Sequence, residues 1–273
     1  MLRAVAVALF AVCASIFMVP VFAQADAQLI SFWNDREAGS KINIDHSQWQ
    51  VILDRYLDDQ HPSGINRFNY AAVTDSDQQS LNAYLSFLQT YEPRQFDAEE
   101  QMAYWINLYN AATVLLIIAE GRSIDSIREL RSGVFTRGPW RRKIINISGQ
   151  ELSLDDVEHG ILRPIWKDNR VHYVLNCASL SCPNLQKTAF TGENVEALLE
   201  LAAIEYINHP RGVRIEGGRL VLSSIYDWYR QDFGSEFADL ISHLVKYIEP
   251  EMAVNIQKFN RAEYSYDWAL NKP

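Results

Sequence analysis

The stretch from Asp97 to Gly121 constrains this chain's fold more than any other. It reads DAEEQMAYWINLYNAATVLLIIAEG, with Asp97 suited to a helix N-cap, Glu100 three residues on, and Gly121 suited to the C′ position. From Met102 to Ala119 apolar residues cover almost the whole circumference of such a helix. A helix of that kind is stable only if neighbours surround it on most sides. The spacing therefore predicts a central buried helix over about 97–120, with the rest of the chain built around it. Two amides, Asn107 and Asn110, fall on one face of this helix. A buried amide without partners costs roughly 1–3 kcal/mol. Both must be bonded, either to neighbouring backbone that they tie down or within a pocket that they line.

Residues 1–25 carry the marks of an export signal and are set aside from fold reasoning. Arg3 is a short positive region, Ala4–Val19 is an uncharged apolar run, and Ala23 and Ala25 after Pro20 form an A-x-A site. Cleavage after Ala25 or Ala23 fits. The competing reading is a retained anchor, because Ala4–Ala23 is about long enough to span a bilayer. With the signal removed, no stable membrane span is expected. The domain is expected to be periplasmic or secreted, where disulfides are permitted. A net charge of −9 opposes a nucleic-acid partner, since phosphate binding needs concentrated Lys and Arg. The one basic cluster, Arg137, Arg141, Arg142 and Lys143 beside Trp140, reads as a solvated loop or edge strand, or else as an anion patch.

Residues 26–45 are mixed and polar and read as a linker or loose lead-in. From 46 to 273 no repeat or Pro/Ser-rich linker interrupts the chain. Helices are predicted near 47–56, 76–91, 192–207 and 237–248, with a short one after the capping box Ser153/Asp156 and another after Ser224/Asp227. Pro250 is expected to close the 237–248 helix. Strands are expected near 68–73, 142–147, 171–177 and 262–266. Val213–Ile215 and Leu220–Leu222 flank a Gly217-Gly218 hairpin turn. The pattern is one mostly helical α+β domain with a small antiparallel or mixed sheet.

The chemistry-bearing stretch is Val171–Pro183, VHYVLNCASLSCP. In an extended strand His172 and Asn176 share a face, and Cys177 joins them only if the strand bends or ends at Asn176. Cys182 follows a segment short enough to curl back. Several readings of the two thiols stay open. They form a structural disulfide; or one is a nucleophile with His172 or His159 as base; or they hold a metal with a histidine; or they are inert. The zinc spacing is weak without a following His-x3-His, so no metal and no cofactor is assigned. Tyr229 and Asp227 belong to the aromatic turn YDWY, in which Asp227 is first a capping residue and second a group that could orient a histidine.

The runs AYWINLYNAATVLL, LSLDDVEHGILRP, RVHYVLNCASLSCPNL, YDWYRQDFG and YDWALN, in that order and spacing, resemble the domain of unknown function 547 (DUF547) family. The resemblance covers about residues 95–271, and more loosely from 48. It implies an exported member of a family without an agreed activity. The residues matching the family pattern include Trp105, Asn107, Tyr109, Asn110, Glu158, His159, His172, Asn176, Cys177, Cys182, Pro183, Asp227, Trp228 and Tyr229. A fainter likeness in element order to papain- and transglutaminase-like folds would put a cysteine at the start of the central helix, and Asp97–Ala103 has none.

Three functions follow from these readings. The first is binding of a small molecule or peptide in a pocket near Asn107, Asn110, Asn176, His172, Asp227 and Tyr229, with a Cys177–Cys182 disulfide fixing the turn. The second is a thiol-dependent hydrolase or acyl or thiol transferase using Cys177 or Cys182 with His172 or His159. The third is a structural domain whose polar groups are all satisfied in the core.

Overall fold

A computed structural model describes residues 26–131, 133 and 138–273. The export signal expected in 1–25, and Arg137 of the basic cluster, lie outside the described residues. In chain order the regular elements begin with α1 (Ser47–Tyr56), β1 (Leu57–Asp58), β2 (Arg67–Phe68), α2 (Asp75–Leu88) and α3 (Ala98–Gly121). The hairpin β3 (Ile145–Ile147) and β4 (Gln150–Leu152) leads into a π-helical turn, Asp156–Leu162, which runs straight into α4 (Arg163–Trp166). After a 3-10 turn at Asn169–Tyr173 come α5 (Val195–Asn208), β5 (Val213–Glu216), β6 (Arg219–Ser223), α6 (Ile225–Trp228) and a 3-10 turn at Arg230–Phe233. Helices α7 (Phe237–Val245) and α8 (Pro250–Ile256) and strand β7 (Glu263–Ser265) complete the chain. The α+β class and the central buried helix are as the sequence predicted.

Helix α3 is that central helix. Asp97 Oδ1 accepts the Glu100 N–H at 2.9 Å, the cap its sequence suggested. Every residue from Glu100 to Val114 is buried. Of the described helices only α3 is long and apolar enough to cross a membrane, and 89% of its apolar window is enclosed by the rest of the domain. Helices α2 and α5 and the π-helical turn pack on it. The sheet is small and mixed: β6 pairs antiparallel with β5 and parallel with β7, Leu222 standing opposite both Val213 and Tyr264. The parallel pairing requires a crossover, which α6, α7 and α8 supply.

Four local expectations change. The strand expected near 68–73 is confined to Arg67–Phe68, and Tyr70–Ala72 is a 3-10 turn. Residues 171–177 are not a strand: Asn169–Tyr173 is a 3-10 turn and the chain then runs irregularly. The apolar VHYVL run looks like a buried strand, but its backbone is bonded by a side chain rather than by a neighbouring strand. Asn110 Nδ2 donates to Val174 O at 2.9 Å, and Asn110 Oδ1 accepts from Asn176 N at 2.8 Å. Pro250 ends nothing; it opens α8, where a residue lacking N–H costs no helical bond. The segment 26–45, read as a loose lead-in, packs on the domain. Trp33 is fully buried, and Gln28 and Ile30 N–H groups bond the His159 and Gly160 carbonyls at 2.9 and 2.8 Å. A Cβ on Gly160 would stand 2.6 Å from the Ile30 side-chain tip, so glycine allows this approach without a shift of that side chain.

Candidate functional site: a thiol at an aromatic cavity

The π-helical turn, the chain around Cys177, α6 and the C-terminal tail meet around a cavity of about 250 Å³. Its lining includes Trp140, Trp228 and Trp268 together with Glu158, His159, His172, Cys177, Cys182 and Tyr266. The start of the π-helical turn is held by the predicted capping box: Ser153 N–H donates to Asp156 Oδ2 at 2.6 Å, and Asp156 N–H to Ser153 Oγ at 3.2 Å. The wider π turn is rare in proteins and recurs at functional sites. Trp228 and Trp268 stack at 5.5 Å between centroids, and Tyr266 packs tilted against both at 4.7 and 4.6 Å.

The thiols sit in a tight turn. Ala178 adopts φ +64, a left-handed conformation that residues with a Cβ seldom take. Asn176 Oδ1 supports it by accepting the Ala178 N–H at 2.9 Å, while Asn176 Nδ2 donates to Pro183 O at 2.7 Å. The C-terminal tail straps the turn from outside. Leu180 and Ser181 N–H groups bond the Ala269 and Asp267 carbonyls, and Asn271 N–H bonds Ala178 O at 2.9 Å.

The expected Cys177–Cys182 bridge is not formed. Both residues are free thiols, Cys177 half-buried and Cys182 buried. Cys177 Sγ stands 3.1 Å from Tyr266 Oη and 3.3 Å from Ser179 Oγ, and those two hydroxyls are 3.0 Å apart. Burial works to raise the Cys177 thiol, but bonds from Cys182, Ser179 and Tyr266 outweigh it and bring it down to about 7. The Cys182 thiol moves the other way: burial raises it, and its bond to Cys177 raises it further. Its Sγ also accepts the Cys177 N–H at 2.7 Å.

Across the cavity His172 and His159 belong to an ionic chain. His172 Nε2 is 2.6 Å from Asp232 Oδ2, which also accepts Arg163 Nε at 2.6 Å. Arg163 Nη1 lies 3.0 Å from His159 Nδ1. Tyr229 stacks on the His172 ring at 4.3 Å and carries the Arg163 guanidinium over its face at 4.7 Å. Burial pushes the His172 imidazole down, opposed by its bond to Asp232. Burial would raise Asp232, yet His172 and Arg163 hold its carboxyl well below the usual range. Tyr109 Oη donates to Glu158 Oε2 at 3.1 Å. Asp155, also on the wall, is raised by burial in spite of the nearby His159. Cys177 Sγ has its hydrogen bonds with the Ser179 and Tyr266 hydroxyls, and neither histidine is among these partners.

Of the residues singled out in the sequence, the structure brings Cys177, Cys182, His172, His159 and Tyr229 to one cavity. Asn107, Asn110 and Asn176 lie behind the wall, bonded to backbone; Asn107 exchanges two bonds with Phe190, at 2.7 and 3.1 Å. Asp227 is exposed and outside the cavity. Sequence reasoning missed Asp232, Arg163 and Tyr266. The repeat of Tyr-Asp-Trp at 226–228 and 266–268 was a signal for the last, since both copies supply aromatics to the wall. Among the described residues no group of three or more His, Cys, Asp or Glu side chains is placed to hold a metal ion.

Residues 93–207 match the family model described as protein of unknown function, DUF547, so the resemblance read from the motifs is borne out over that segment. No curated protein and no solved structure matches the chain.

Proposed function

We propose, with the DUF547 match over 93–207 as premise, that this domain holds a small molecule or peptide in the tryptophan-lined cavity and attacks it through Cys177. The reaction is acyl transfer or hydrolysis at an amide or thioester. The observation that carries this reading is the half-buried Cys177 sulfur on the cavity wall, 3.1 Å from Tyr266 Oη. A thiolate is the nucleophilic form, and hydroxyl donors stabilise it without a base. The thiolate would form a C–S bond to the carbonyl carbon. Collapse of the tetrahedral species breaks the bond to the amine or thiol, which leaves with a proton taken from solvent, directly or relayed by His159. Water or a second acceptor then cleaves the protein thioester. Asp232 and Arg163 fix the histidine side of the cavity and act as positioning residues.

The test is alkylation by iodoacetamide against pH, read by peptide mass, with acylation by p-nitrophenyl acetate alongside. Cys177 should label with a midpoint near 7 and take the acetyl group, while Cys182 stays protected. A midpoint at or above the ordinary thiol value of about 8.5 would remove the basis for the nucleophile. Ligand binding unchanged by Cys177→Ala, together with no acylation, would leave a binding cavity alone. We also infer export, periplasmic or secreted, from residues 1–25. The mass of the native protein checks it: a chain beginning at Asp26 or Gln24 is expected, and one retaining Met1–Ala25 in the cytoplasm would overturn it.

A further inference from the structure

The geometry points to a second working thiol: we propose that Cys182 resolves adducts formed on Cys177, so that the same cavity carries out thiol–disulfide exchange. This rests on the reading of Cys177 as the reactive thiol and extends it to a second substrate class, disulfides. Both thiols lie on the cavity wall, but Cys177 is the more exposed of the two: it is half-buried, whereas Cys182 is 2% exposed. Cys182 Sγ accepts the Cys177 backbone N–H at 2.7 Å and donates to Leu175 O at 3.6 Å, so it is held beside the Cys177 backbone. Bridging requires the Cys177 Sγ to leave its Tyr266 and Ser179 hydroxyl partners for Cys182 Sγ. The Cys182 N–H bonds Ser179 O at 3.0 Å, and the tail bonds to Leu180 and Ser181 hold the turn in its curled form. The opposite titration of the two thiols, one lowered and one raised, suits an attacking and a resolving partner.

In the exchange, the Cys177 thiolate attacks one sulfur of a substrate disulfide. A Cys177–substrate disulfide forms and the other substrate half leaves as thiolate. Cys182 then loses its proton and attacks the Cys177 sulfur. The intramolecular disulfide forms, and the second substrate half leaves and is protonated. The substrate gains two electrons and two protons, and the cysteine pair loses them. The dithiol described here is the reduced partner of that couple. Tyr266 and Ser179 then have a further role, because they stabilise the Cys177 thiolate whenever it is the leaving group, favouring reduction of the bridge.

The experiment treats the reduced full protein with oxidised glutathione and follows intact and peptide mass over time. The wild type should lose two hydrogens and carry no lasting glutathione, with the loss mapped to a 177–182 bridge. Cys182→Ser should hold a glutathione adduct on Cys177 about tenfold longer or more, and Cys177→Ser should form none. The wild-type masses decide the matter even where Cys182→Ser folds poorly. A glutathione adduct that persists on Cys177 of the wild type would overturn the resolving role while leaving Cys177 as the nucleophile. If Cys177 resists both glutathione disulfide and iodoacetamide, the nucleophile itself falls.

Discussion

Two regions of this domain bury polar side chains, and they do so differently. On α3, Asn107 and Asn110 are 0% and 2% exposed, and each amide pairs with main-chain groups through both its ends. Each imitates a strand partner for a segment that has none. At the cavity, Cys177, Tyr266, Ser179, His172, Asp232 and Arg163 bond mostly to one another's side chains. Backbone partners are fixed in place and proton-neutral, so the asparagine bonds set conformation. Side-chain partners titrate and rotate, so the cavity bonds set reactivity. Where a buried polar group's bonds lead says more about its role than that it is buried.

The largest effect should come from breaking the first region. Asn110→Leu strands Val174 O and Asn176 N–H in the core, and at about 1–3 kcal/mol for each unpaired group the domain should lose roughly 2–6 kcal/mol. Asn107→Leu does the same to Phe190. Denaturant titration measures both. A change of melting temperature of a degree or two would mean that these amides are not the ties described.

Next in size is an acid sensitivity that belongs to the scaffold. Burial, against the opposing pull of Asp45, brings His46 down to about 4. Burial also brings His243 to about 4, helped by Lys246 and opposed by Asp168. His46 Nδ1 is 2.6 Å from Tyr84 Oη, and His243 Nε2 is 2.7 Å from Tyr173 Oη. Unfolded histidine titrates near 6.5. Between that pH and 4 the unfolded chain binds more protons, so stability is complete above about 6.5 and is lost as pH falls toward 4. The loss is at most roughly 3 kcal/mol for each group. Replacing either with Gln should flatten the acid limb of stability against pH. An unchanged limb in both variants would assign the acid loss to carboxylates instead.

Tyr266→Phe tests the second region with little cost to the fold. It removes one donor from Cys177, so the alkylation midpoint should climb from about 7 toward the ordinary thiol value while the unfolding midpoint barely moves. A fixed alkylation midpoint would leave Cys182 and Ser179 as the groups that matter. Smallest of all is Asp227→Asn. Asp227 is exposed and touches neither region, so neither thiol reactivity nor stability should change by a measurable amount. An altered alkylation rate there would extend the site beyond the cavity.

The sequence by itself determined the central helix, its cap, the capping box before the π turn, the Gly-Gly hairpin and the class of the fold. Each of these is written in local spacing, because a cap or an apolar face depends on residues a few positions apart. It also located the thiol stretch, since His172, Cys177 and Cys182 are chemistry-bearing residues in an apolar run. Only the tertiary structure decided which of these residues face one another. Asp232 lies 60 positions from His172, and Tyr266 lies 89 from Cys177. No periodicity links such pairs; their meeting depends on how the whole chain closes over α3. The same closure turned the expected 171–177 strand into a 3-10 turn and an irregular segment, because Asn110 makes the backbone bonds that a neighbouring strand would have made. It also left the two cysteines of the cavity wall as a free pair with unequal surroundings, one half-buried and one buried, a difference that two identical side chains cannot encode by themselves.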